Sequence, residues 1–144
     1  MKKNVFTICL IFAIIIIVLF LKYQEVKKSQ IETKKFNHTY EQYHTENLNG
    51  LDITTVINKA IDNNEKYEIE KDKDGIYISD DAYSIKIYIT MIINGKTYSM
   101  EKINAVGMEA FVQNFGIIDF KCTDMQYHEK TGRVSQMTFE ATEY

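Results

Sequence analysis

One stretch of the sequence, EKDKDGIYISDD at residues 70–81, carries closely spaced side chains that could bind a metal ion. Oxygen ligands at alternate positions, followed by a glycine at the bend, are the pattern of a calcium-binding loop. The candidate ligands are Glu70, Asp72, Asp74 and Asp81.

The match to a calcium loop is incomplete at both ends. Glutamate stands first and aspartate last, the reverse of the usual order, so the last ligand would be too short to bind through both oxygens. The flanking residues YEIE and IYIS alternate with the period of a strand, whereas helices flank such loops. Strands 67–70 and 76–79, joined by a loop with Gly75 at a positive φ, account for every residue of the stretch. The sequence therefore favours a solvated turn, with neither metal nor another cofactor.

Other side chains suggest binding rather than catalysis. Tyr88 and Tyr98 fall on neighbouring predicted strands, and an exposed tyrosine face would make a binding surface, although half-buried strand tyrosines explain the same pattern. The sequence contains no GxSxG, HExxH, CxxC or P-loop motif. His128 lies beside Glu129 next to a turn, which is typical of a solvated pair. We therefore predict that the protein is not an enzyme.

Periodicity places these residues on an α+β fold. A helix capped by Asp52 and ended by Asn63–Asn64 is predicted, because Ile53, Val56, Ile57, Ala60 and Ile61 recur at helical spacing. A second helix is predicted over 104–115, weakened at Gly107 and ended by a left-handed cap at Gly116. The predicted strands are 83–93, 96–103, 117–128 and 133–142, with turns at Asn94–Gly95 and Thr131–Gly132 and a bulge after Cys122. The prediction is an antiparallel sheet of hairpins covered by one or two helices.

The N-terminus carries an apolar run, VFTICLIFAIIIIVLFL at residues 5–21, that is long enough to cross a bilayer as a helix. A signal peptide is the alternative, but no small-x-small cleavage site follows the run. We therefore predict a single-pass anchor that contacts membrane lipid, with the N-terminus cytoplasmic and the domain outside the cytoplasm. A basic flank should lie near anionic headgroups: Lys22, Lys27, Lys28, Lys34 and Lys35.

The sequence predicts three zones: an anchor at 1–22, a polar stalk at 23–49 and one globular domain at 50–144. Beyond residue 22 the chain carries 20 acidic and 14 basic side chains, a net charge of −6, which argues against nucleic acid as a partner. Cys9 falls in the anchor and Cys122 in the domain, so no disulfide is expected within the chain. Cys122 is predicted to be buried.

This plan of apolar helix, polar stalk and helix on antiparallel sheet resembles pilins and pseudopilins. Phe6-Thr7 matches the start of a pilin helix, while Val5 and Leu10 stand where that family has glycine and glutamate. The stretches GLDITTVINKAIDNN and YHEKTGRV also resemble small membrane-anchored proteins of low-GC Gram-positive bacteria, a resemblance that implies no particular activity.

Together these features predict a non-catalytic, membrane-tethered binding or scaffold domain at the cell envelope, with an envelope protein as partner. Two alternatives remain open from the sequence. One is a pilin-like or secretion- and competence-system subunit, and the other is an envelope hydrolase with an unrecognised site.

Overall fold

The architecture was described from a computed structural model, which covers residues 2–45, 47–92 and 95–142. The fold is α+β, as predicted. In chain order its elements are α1 (Lys2–Thr45), α2 (Gly50–Lys66), β1 (Lys86–Met91), β2 (Lys96–Ser99), α3 (Met100–Val106), α4 (Met108–Phe115), β3 (Phe120–Tyr127) and β4 (Val134–Ala141).

Helix α1 contains the apolar run. By length and composition it is able to cross a membrane, and its apolar window is fully exposed in the isolated chain. A membrane anchor and a signal sequence both have these properties.

The compact folded unit begins at Phe36, earlier than the predicted boundary at residue 50. Phe36, Tyr40 and Tyr43 recur at helical spacing, and Tyr40 is only 2 % exposed. This stripe was missed because its members are aromatic and stand among polar residues, so the segment reads as a stalk. The last ten residues of α1 therefore belong to the domain.

Helix α2 begins three residues before the predicted start. The Asn49 side chain accepts hydrogen bonds from the N–H groups of Leu51 and Asp52, while the Asp52 carboxylate accepts one from the Asn49 N–H at 2.9 Å. The pair is a capping box, in which Asp52 occupies the third helical position instead of the cap. The predicted apolar stripe is buried except for Ile61, which is half-buried, and the helix continues through Asn63–Asn64 to Lys66.

The sheet is mixed, in the order β2-β1-β4-β3. Strand β1 pairs antiparallel with β2 but parallel with β4, and β4 pairs antiparallel with β3. A purely antiparallel sheet was expected because consecutive strands usually pair. The predicted strands 67–70 and 76–79 are reduced to a single bridge between Lys71 and Tyr77.

The segment after β1 differs most from the prediction. The strand predicted over 96–103 stops at Ser99, and the helix predicted over 104–115 is two helices, α3 and α4. Gly107 separates them with φ +109°, a conformation that side chains rarely allow. Gly116 is right-handed, with φ −60°, so the predicted left-handed cap was wrong. Asn94 of the predicted turn lies outside the described residues.

One face of the sheet joins the helices in a single core. Alternate residues of the two central strands point into it, among them Ile87, Ile89, Met137 and Phe139. The predicted bulge in β3 is present between Cys122 and Asp124, and Cys122 is buried as predicted.

Candidate functional site

The acidic stretch folds as a self-contained turn. Asp72 Oδ1 accepts hydrogen bonds from the N–H groups of Asp74 and Ile76, each at 2.9 Å, and Gly75 has φ +76°. Glu70 and Asp81 lie on either side of this turn. Across residues 2–45, 47–92 and 95–142, no three His, Cys, Asp or Glu side chains are grouped so that they could hold a metal ion.

The register of the sheet separates the two tyrosines that were predicted to share a surface. Tyr98 lies opposite Ile89, whereas Tyr88 lies opposite Ser99 on one side and Thr138 on the other. Residues directly opposite one another project from the same face, so Tyr98 belongs to the helix-covered face and Tyr88 to the polar face. Burial, reinforced by the nearby Glu101 carboxylate, raises the pKa of Tyr88. The predicted tyrosine surface is therefore not formed.

A buried polar cluster fixes the long connection between α2 and β1. The Asn64 side chain donates to the Ile85 carbonyl at 2.7 Å and accepts from the Ile85 N–H at 2.8 Å, which reproduces one rung of a strand ladder. The His128 Nε2 lies 2.7 Å from the Ser84 carbonyl. His128 is only 8 % exposed, so the predicted solvated His128–Glu129 pair was wrong. This contact fixes the His128 ring against the connection that leads into β1.

The same cluster contains Arg133, the single arginine of the chain. Its guanidinium carbon lies 3.8 Å from the centre of the Phe36 ring, and 4.9 and 5.1 Å from the centres of Tyr67 and Tyr83, whose rings stack on each other. It donates to the Tyr67 hydroxyl and to Asn63 Oδ1, while its Nε has no partner among the described residues. The rings and these bonds enclose the cation.

Two ionisable groups outside the acidic turn, Asp80 and Cys122, have structural roles. Asp80 Oδ1 accepts three backbone hydrogen bonds, from Ala82, Tyr83 and Ser84. Burial alone would raise the Asp80 pKa, but these donors outweigh burial and hold it below its ordinary value. Burial also raises the pKa of the Cys122 thiol to about 11, which makes it a poor nucleophile.

An apolar groove of about 570 Å³ lies between α3, α4 and the adjoining edge of the sheet. Its walls are aliphatic and aromatic side chains: Met91, Tyr98, Ile103, Val106, Phe111 and Phe115. Volumes of this size with mostly apolar walls are typical of sites for small ligands. The groove is therefore the candidate functional site.

The local sequence explains how the groove forms. Gly107 turns the chain between two short helices, so that their apolar sides meet at an angle instead of continuing in one line. Small side chains, Ala105 and Ala110, lie on either side of that turn and leave the space open. Phe111 closes the inner wall, with its ring 5.2 Å from that of Phe115 and 6.1 Å from that of the core residue Phe120.

Two polar side chains also line the groove. The Asn114 amide donates to the Ala110 carbonyl of its own helix at 2.8 Å. Lys102 is exposed and makes no ion pair with any carboxylate in the described part of the chain. The groove can thus hold an apolar group and place one positive charge beside it.

Sequence reasoning did not find this groove. The pattern read as one continuous helix with a weak middle, and a single helix offers no concavity. The signal that was present is the glycine between two apolar stripes, with alanines at positions 105 and 110.

Compared with known proteins, the chain matches no family model, no curated protein and no solved structure at a significant level.

Proposed function

We propose that this chain is a membrane-tethered protein whose domain binds a ligand in the groove between α3 and α4 and performs no reaction itself. The observation that carries the proposal is the groove itself, an apolar concavity in a domain that is acidic in total charge. Exposed apolar concavities mark places where a binding partner removes surface from water.

The rim of the groove supports a binding role. Val106 ends α3 at the groove and is 78 % exposed. An isolated exposed valine is unremarkable, but this one continues the apolar lining outward. A ligand that fills the groove would cover it.

The tether rests on α1, whose apolar run fits a bilayer span. We place the N-terminus in the cytoplasm and the domain at the outer side of the cell membrane. In cells that express the full chain, carbonate washing should leave the protein in the membrane pellet, and protease added to intact cells should digest the domain. Release into the medium of a chain shortened after Leu21 would contradict the tether.

Photo-crosslinking tests the binding role directly. Benzoylphenylalanine placed at position 106 of the full chain should form a covalent adduct in cells, because that side chain lines the groove. The matched control is position 113, an exposed residue of α4 that does not line it. Equal adducts at both positions, or none at 106, would remove the groove as a binding site.

A pilin-like subunit is the second candidate. The observation that favours it is the packing of residues 36–45, the last part of the helix that contains the apolar run, into the domain core through Phe36, Tyr40 and Tyr43. Mass spectrometry of the native chain distinguishes the two, since a pilin-like subunit should lose its first residues and assemble. An intact Met1 in a monomeric detergent extract excludes it.

A further inference from the structure

We infer that the groove holds the acyl chain of a long-chain fatty acid taken from the membrane, with its carboxylate beside Lys102. This inference rests on the proposed binding function and names the class of ligand.

The walls of the groove suit a single unbranched chain. Phe111 is 7 % exposed and backed by Phe120 of the core, so the inner wall is fixed before any ligand arrives. Met91 and Tyr98 form the floor, and the register of β1 and β2 puts both on the same face of the sheet. A preformed apolar surface loses little freedom on binding, so the ordering cost falls mainly on the acyl chain, which is offset by burial of its methylene groups.

The size of the groove favours a small amphiphile over a protein segment. A volume of about 570 Å³ lies within the range of small-molecule sites, and α3 and α4 have only seven and eight residues. A groove that receives an amphipathic helix needs contacts over two or more helical turns of the partner. Helices this short, meeting at an angle, offer little length for such contacts.

Charge identifies the head of the amphiphile. Lys102 is the one charged side chain in the described lining, within a domain whose acidic residues outnumber its basic ones. The neighbouring Glu101 carboxylate does not pair with Lys102, and instead accepts a hydrogen bond from the Tyr77 N–H at 3.2 Å. A carboxylate at the mouth of the groove would give Lys102 an ion pair.

The test uses the full chain in phosphatidylcholine nanodiscs that contain either diazirine-labelled palmitic acid or diazirine-labelled hexadecanol. After irradiation, mass spectrometry measures the labelling of residues 96–115. We expect palmitic acid to label this segment and unlabelled palmitate to compete. Labelling confined to residues 7–21 would overturn the inference, since a bilayer probe reaches the apolar helix in any case.

Two groove variants and one control locate the site. Ala110→Phe fills the groove, and Val106→Asp puts a charge at its exposed rim, where folding should not suffer. Each should reduce labelling of residues 96–115 about tenfold, the loss expected when a bound chain loses its apolar contacts. Gln113→Phe, on the other side of α4, should leave labelling unchanged. If residues 96–115 of the Val106→Asp chain are labelled as strongly as those of the unchanged chain, the groove is not the site.

Lys102→Gln tests the headgroup. Loss of a partly exposed ion pair should lower palmitic acid labelling about fivefold while hexadecanol labelling is unchanged. Lys121→Gln, an exposed lysine of β3, is the matched control. Equal effects on acid and alcohol would overturn the carboxylate assignment.

The crosslink from position 106 separates the two levels of the proposal. A lipid adduct there supports the fatty acid. An adduct to another protein, or to a second copy of the chain, overturns the fatty acid but keeps the binding function. No adduct at all removes both.

Discussion

The guanidinium carbon of Arg133 lies 3.8 Å from the centre of the Phe36 ring. Phe36 is the first residue of the part of α1 that packs in the domain, and Arg133 directly precedes β4. The stack therefore joins two segments that are 97 positions apart in sequence (133 − 36). Asn37 reinforces it: its side chain donates to the Gly132 carbonyl and accepts from the Val134 N–H. The β3–β4 turn thus holds the end of α1.

Replacing Arg133 should destabilise the domain. Arg133→Ala should lower the free energy of unfolding by about 3 kcal/mol, because it removes a desolvated cation–π stack and two hydrogen bonds. Arg133→Lys should lose most of this, since an ammonium group cannot stack flat on the Phe36 ring or make the same pair of hydrogen bonds. Urea unfolding in detergent micelles, followed by near-UV circular dichroism of the tyrosines, measures the change. The exposed neighbour Lys130→Ala is the control, and an Arg133→Lys chain as stable as the original would refute the stacking argument.

Asn64 should be among the most sensitive positions in α2. It is fully buried, and its side chain makes two hydrogen bonds with the Ile85 backbone besides a longer one, at 3.3 Å, that the Asn63 amide donates to its Oδ1. Asn64→Ala leaves a buried N–H and a buried carbonyl without partners, which should cost about 3 kcal/mol. The same urea titration applies, with exposed Asn58→Ala as the control on the same helix. Similar losses for both variants would mean that helix propensity, and not the Ile85 contact, is responsible.

Asp80 should make the domain sensitive to acid. Because its pKa is lowered in the folded state, its contribution is present above the pKa of the unfolded chain, about 3.9. That contribution is lost as the pH falls through the folded pKa. Asp80→Asn should therefore be less stable than the original chain at pH 6, with the difference shrinking below about pH 4. Urea midpoints across this range measure it. Asp62→Asn, at an exposed site, is the matched control. A pH-independent gap for Asp80→Asn would contradict the assignment.

Cys122 should resist alkylation in the folded protein. With a pKa of about 11, roughly one thiol in a thousand is ionised at pH 8, and the side chain is 4 % exposed. In a Cys9→Ser chain, iodoacetamide at pH 8 should modify Cys122 only after urea is added, as followed by intact mass. Rapid modification without urea would show that the bulged part of β3 opens readily.

Local patterns made most elements predictable. The alternation in YSIKIYITMII and the stripe in ITTVINKAI are set by neighbours within one or two turns, so strand β1 and helix α2 followed from them. The errors fell where two local structures have similar stability. Either Asn49 or Asp52 could cap α2, and the helix could either break or continue at Gly107. There one or two hydrogen bonds decide, and their partners are fixed by folding.

The sequence alone determined the α+β class, the apolar N-terminal helix and the faces that β1 and α2 bury, because the spacing of apolar residues along the chain indicates which face of an element is buried. Tertiary structure decided the parallel pairing of β1 with β4, the opposite faces of Tyr88 and Tyr98, the cage around Arg133 and the groove between α3 and α4. The parallel pairing and the cage join segments far apart in the chain, whereas the tyrosine faces and the groove depend on how neighbouring strands and helices pack. In each case the arrangement reflects the total burial that it achieves over the alternatives.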